Sequence, residues 1–120
     1  MKLPKQSVEV RDALAVYGYA LIASRRYTAA RDLFRGMAVL FPDDRQVMMS
    51  LAVAHLALGE TADALVLADD LRAGASAKEV RMLDLVRAKA LFAEGHSEEA
   101  REAFLLGLSP QGTAASKGAA

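Results

Sequence analysis

The chain is 120 residues long, 53% apolar and 25% charged, which suits a single domain with a helical core and excludes a disordered segment. Its fifteen basic and fifteen acidic residues cancel, so the net charge points to neither a nucleic-acid backbone nor an anionic membrane as partner. The absence of cysteine excludes a disulfide scaffold, a thiol nucleophile and thiolate metal sites, and makes a reducing, cytoplasmic location the expectation.

The lysines of the first residues are not followed by an apolar run with a small-residue cleavage site, so no secretory signal is expected. The longest apolar window, around 13–23, is too short to span a bilayer. Ser7 reads as the N-cap of a helix over 8–23, with Glu9 in the first turn where the helix dipole favours an acid. Residues 24–26 make a turn, and a second helix over 27–40 is closed by Phe41-Pro42-Asp43-Asp44. Arg25, Arg26, Arg31 and Arg35 cluster in this hairpin. Without interleaved stacking aromatics they read as a solvated face.

A second hairpin is predicted over 45–58 and 61–71, with Gly59 suited to the positive φ of a helix C-terminus. A longer loop, 72–76, follows. Ser76-Ala77-Lys78-Glu79 then fits a capping box, in which serine and glutamate satisfy orphan backbone amides reciprocally. The helix that it opens extends to about 93. Gly95 makes the next turn, and Ser97, Glu98 and Glu99 start a last helix that ends near 108. Residues 109–120 hold small and polar side chains with nothing to anchor a core, and read as a flexible tail after a single 1–108 domain.

Ala30 and Ala64 stand 34 residues apart at matching places in their hairpins, and Ala100 repeats the pattern after 36. Helical spacing then predicts the core rows: Leu14, Tyr17, Gly18 and Leu21 on the first helix, with Ala30, Phe34 and Met37 on the second. Met48, Leu51, Ala52, His55, Ala64, Ala68 and Leu71 follow in the second hairpin, and Ala88, Leu91, Ala100 and Phe104 in the third. Gly18 is expected at the crossing with Ala30, where small side chains let the helix axes approach. In the third hairpin Asp84 and Arg87 interrupt the apolar row and are three apart, the spacing of a pair across one turn, so that Leu83, Val86, Ala90 and Leu91 can serve as the buried row instead.

His55 and His96 have no cysteine, carboxylate or third histidine at ligand spacing, so no metal site is expected. The chain also lacks a phosphate-binding glycine loop, a nucleophile elbow and a Ser/His/Asp set, which leaves no local basis for an enzyme and implies no cofactor.

The period and the order of large, small, aromatic and alanine positions from Asp12 to Leu108 resemble tetratricopeptide repeats. The resemblance implies an all-α fold of three tandem helix-turn-helix repeats, about 11–44, 45–72 and 77–108, forming a short right-handed solenoid with a concave groove. With the core rows assigned, the remaining inner-face positions are greasy: Tyr19 and Ile22, then Met49, Val53 and Leu56, then Met82, Leu85 and Phe92, with Lys89 as the polar exception. So apolar a face is costly to leave wet. It can hold an apolar peptide, or be covered by the N-terminal segment, the tail or a second copy of the chain.

Gly18-Tyr19-Ala20, Tyr27 to Phe34 and Leu40 to Asp44 resemble the first repeat of the small tetratricopeptide chaperones of bacterial type III secretion, and the chain's length favours the short YscY-like or needle-subunit class. That resemblance implies a cytoplasmic chaperone that holds an apolar helical or extended segment of a small secreted, needle or export protein before export. A co-chaperone or a homodimer is a further partner it admits, and nucleic acid and membrane are not. The alternative from another class is a non-enzymatic scaffold or assembly adaptor that self-associates.

Overall fold

A computed structural model describes residues 5–108. They form six helices: α1 (Lys5–Ala23), α2 (Tyr27–Leu40), α3 (Arg45–Ala57), α4 (Thr61–Arg72), α5 (Ala77–Ala93) and α6 (Ser97–Leu108). Each helix packs on the next in chain order, and α3 also touches α5. The odd-numbered helices therefore line one face of a three-hairpin stack. The proposed tail, 109–120, lies outside the described residues.

Local chemistry sets most boundaries. Asp44 caps α3 by accepting a hydrogen bond from the Val47 amide at 3.1 Å, and Ser76 with Glu79 forms the full capping box of α5. Gly59 and Gly95 end α3 and α5 with φ of 79° and 86°, which glycine adopts without a Cβ penalty. Arg25 occupies the same place after α1 with φ 63°, in the left-handed region that costs an L-residue strain. The start of α1 differs from the sequence expectation. The helix already runs from Lys5, so Ser7 lies inside its first turn instead of capping it.

Packing between hairpins confirms some core rows and moves others. Phe34, Met37 and Ala30 are buried with Leu21, Val47 and Leu51 in one cluster that joins the first two hairpins. Ala68, Leu71 and Leu83 join the second to the third, and Ala88, Leu91, Ala100 and Ala103 hold the last hairpin. Tyr17 is 59% exposed and Ala15 takes the buried place, so α1 is rolled relative to the expected row. Gly18 does face the crossing, but its neighbour is the Phe34 ring: a Cβ there would stand 2.4 Å from Phe34 Cζ. Phe104, expected in the core, is 49% exposed, and Ala103 and Gly107 are buried in its stead.

The expected Asp84–Arg87 pair is also replaced. Asp84 is buried and accepts a 2.7 Å hydrogen bond from Arg72 Nη1 on the preceding helix, so the polar interruption in α5 ties two repeats together. Polar ties of this sort recur at each joint. Arg11 grips Asp44 at 2.6 and 3.1 Å, and Arg45, 34 residues on, reaches Glu79 at 3.4 Å and the carbonyl oxygen of Leu71. In both cases an arginine near the start of one inner helix holds the N-terminal turn of the next.

Candidate peptide-binding face

The inner face carries a cavity of about 480 Å³, lined by α1, α3 and α5. Its apolar wall comes from Tyr19, Met49, Val53, Met82, Leu83 and Val86, with Ala52 among them. The volume lies in the range of pockets that take small ligands or a few protein side chains. Tyr19 is held in place at both ends: its hydroxyl accepts a 2.7 Å hydrogen bond from Gln46 Nε2, and its ring sits 5.9 Å from that of Phe34 at a 38° tilt. Gln46 in turn accepts from Arg11 at 2.8 Å. A rigid aromatic on a braced amide makes a defined wall.

The polar groups of the lining are mostly satisfied within the protein. Ser50 donates its hydroxyl proton to the Gln46 carbonyl at 2.9 Å, and Glu79 serves the capping box and Arg45. The Ser76 amide, against the cost of burial and with help from Arg45, holds Glu79 below the ordinary carboxylate value. At the foot of α3, burial pushes the Asp44 carboxyl up, but Arg11 and the Val47 amide outweigh it and hold the group low. Both therefore stay ionised, and they are occupied. What the cavity offers a visitor is apolar contact, with Lys78 at its edge as a cation.

Of the side chains expected on the inner face, the structure brings Tyr19, Met49, Val53 and Met82 together in this cavity. Ile22 is half-buried against the first core cluster, and Leu56 is half-buried outside the cavity lining. Leu85 turns towards α6, where a Cβ on Gly107 would come within 2.7 Å of its side chain. Lys89 and Phe92 line a different cavity, between α5 and α6. Sequence reasoning missed Gln46, Ser50, Lys78 and Val86. Gln46, Lys78 and Val86 lie three or four residues from Met49 or Met82, and Ser50 lies three from Val53, so the same helical stripe would have found them.

Away from this face, the fold gathers His55, Glu60 and Asp63, whose ligand atoms lie within 4.8 Å of one another, a grouping not seen in the sequence. Glu60 is spoken for on both oxygens: His55 Nδ1 is 2.7 Å from one and Arg31 Nη1 is 2.6 Å from the other. The His55 contact and Arg31, against burial, hold Glu60 below its ordinary value. A guanidinium on the same carboxylate makes this an ion-pair junction between repeats and a poor fit for a metal cation. Among the described residues no helix is long and apolar enough to cross a membrane.

Three stacked helical hairpins with a braced apolar inner face define a repeat scaffold for protein–protein interaction. The tetratricopeptide repeat family model matches residues 21–84, just over half of the chain, and the chain belongs to that family. No curated protein and no solved structure matches it.

Proposed function

We propose that this protein is a non-enzymatic chaperone that holds an apolar segment of a small secretion-system component in its inner groove before export, within the cytoplasm. The observation that carries the binding role is the cavity shared by Tyr19, Met49, Val53 and Met82 across three helices. Met82 is 45% exposed at its rim, and its flexible thioether, like that of Met49, adapts to irregular partner shapes. Each partner side chain fully buried there contributes roughly 1.5–3 kcal/mol before ordering costs. The resemblance of the first repeat to type III secretion chaperones supports a secretion component as the cargo.

Co-expression with candidate needle subunits and small export proteins, followed by co-purification, tests the reading. Tyr19→Glu and Met82→Glu each place a charge in the apolar wall and should abolish co-purification while leaving helicity within a few per cent of the parent, roughly what surface changes cost. A partner retained by both variants, or lost only together with helicity, would sink the proposal.

A further inference from the structure

Among the described residues, each hairpin is covered by the next, except the last. Phe34, Ala68 and Phe104 occupy equivalent places on α2, α4 and α6. Phe34 is fully buried in a cluster to which α3 contributes Val47 and Leu51, and Ala68 is buried with Leu83 of α5. Phe104 and Phe92 stand 49% and 71% exposed, on either side of a cavity of about 360 Å³ between α5 and α6.

The charges at this end follow the same pattern. At the first joint, Arg31 on α2 pairs with Glu60, the residue just before α4 in the covering repeat. At the second joint, Thr61 donates to Glu94 at the end of α5, 3.0 Å away. The counterparts of Arg31 and Thr61 in the last hairpin are Arg101 and Ser97, and both line the cavity. Arg101 has no ion pair among the described residues. The lining holds two cations, Lys89 and Arg101, and no carboxylate.

From this we infer a second docking surface, separate from the inner groove: the α5–α6 face takes one helix of another protein, apolar on the side it presents and carrying a carboxylate that pairs with Arg101 as Glu60 pairs with Arg31. That helix sits on the last hairpin as α3 sits on the first. A second copy stacked head to tail has the wrong charge, since its first hairpin would bring Arg26, the repeat counterpart of Glu60 just before α2, against Arg101. Residues 109–120 contain neither an acidic nor a large apolar side chain to fill the place.

The probe is a labelled peptide of the sequence 45–60, held helical over 45–57 by a hydrocarbon staple and titrated into the full chain by fluorescence anisotropy. Saturable binding is expected, weakened roughly two- to fivefold by Arg101→Gln and on the order of tenfold or more by Phe104→Ala. Arg101→Glu should lose the parent peptide and regain binding with the peptide's Glu60→Arg version, whereas Tyr19→Glu in the groove should leave the titration unchanged. Several results would overturn the inference: no saturable binding, binding indifferent to Arg101 and Phe104, or binding lost in Tyr19→Glu, which would place the peptide in the groove. A dimer in sedimentation that Phe104→Ala disperses would give the face to a second copy, and binding seen only after removal of 109–120 would give it to that segment.

Discussion

Two glycines inside helices should respond in opposite directions to the same substitution. Alanine is favoured over glycine in a helix interior by about 0.8–1.0 kcal/mol, and at Gly36 nothing lies within 4 Å of the added Cβ. Gly36→Ala should therefore stabilise by close to that amount. At Gly18 the added Cβ would meet three Phe34 ring atoms at 2.4, 2.8 and 2.9 Å, more than half an ångström inside the roughly 3.5–4.0 Å of an ordinary carbon contact. Phe34 is fully buried, so the ring retreats only by disturbing Met37, Leu51 and their neighbours. Overpacking of that kind costs about 1–3 kcal/mol. The propensity gain is common to both sites, so the two variants should differ by about 1–3 kcal/mol, with Gly18→Ala neutral to some 2 kcal/mol destabilised. Thermal unfolding followed by far-UV circular dichroism resolves this, since each kcal/mol moves the midpoint roughly 4–8 °C in a domain of this size. Trimming the ring with Phe34→Leu should remove most of the penalty, a coupling that a double-mutant cycle measures. Equal stabilisation by alanine at both positions would refute the close contact and the packing built on it.

Other perturbations test separate features. Arg25→Gly should stabilise by about 0.5–1 kcal/mol, because Arg25 alone among the turn residues after α1, α3 and α5 holds a positive φ without being glycine; a lower melting temperature would contradict this. Arg72→Met strands the buried Asp84 carboxylate and should cost about 1–3 kcal/mol in urea unfolding, below the 3–5 of a fully buried pair because Arg72 is itself 43% solvent-exposed. Adding Asp84→Leu should recover most of the loss; no recovery would mean that Arg72 acts elsewhere. Asp44, Glu60 and Glu79 all have folded-state pKa values below their ordinary ones. Their stabilisation is fully present above about pH 5 and is lost as pH falls through the depressed values, so the melting temperature should decline on acidification below about pH 5. Asp44→Asn should flatten that acid limb, and an unchanged profile would remove Asp44 from the account.

The turns and caps were legible because their causes are local. Ser76 and Glu79 close a capping box within four residues, Pro42 cannot continue α2, and Gly59 and Gly95 relieve a backbone conformation that other residues resist. Part of the inner cavity was legible as well, since Tyr19, Met49, Val53 and Met82 recur at helical spacing on successive odd helices. Leu85, Lys89 and Phe92 belong to the same helix as Met82, but α6 covers only part of α5 and leaves them on or beside the terminal face.

By itself, then, the amino-acid order determined the six helices of the described residues, most of their ends and a repeat of about 34 residues, because hydrogen bonding within a few residues and apolar periodicity encode them. Tertiary structure alone decided which stripe of each helix is buried. One residue of offset turns a helix by about 100°, and a broad apolar face such as that of α1 tolerates the roll that buries Ala15 and frees Tyr17. It alone also paired Asp84 with Arg72 and joined His55 to Glu60 and Asp63. Phe34 and Phe104 show the limit most plainly. They hold the same place in the repeat, and they differ in exposure because, among the described residues, one hairpin has a successor against it and the other does not.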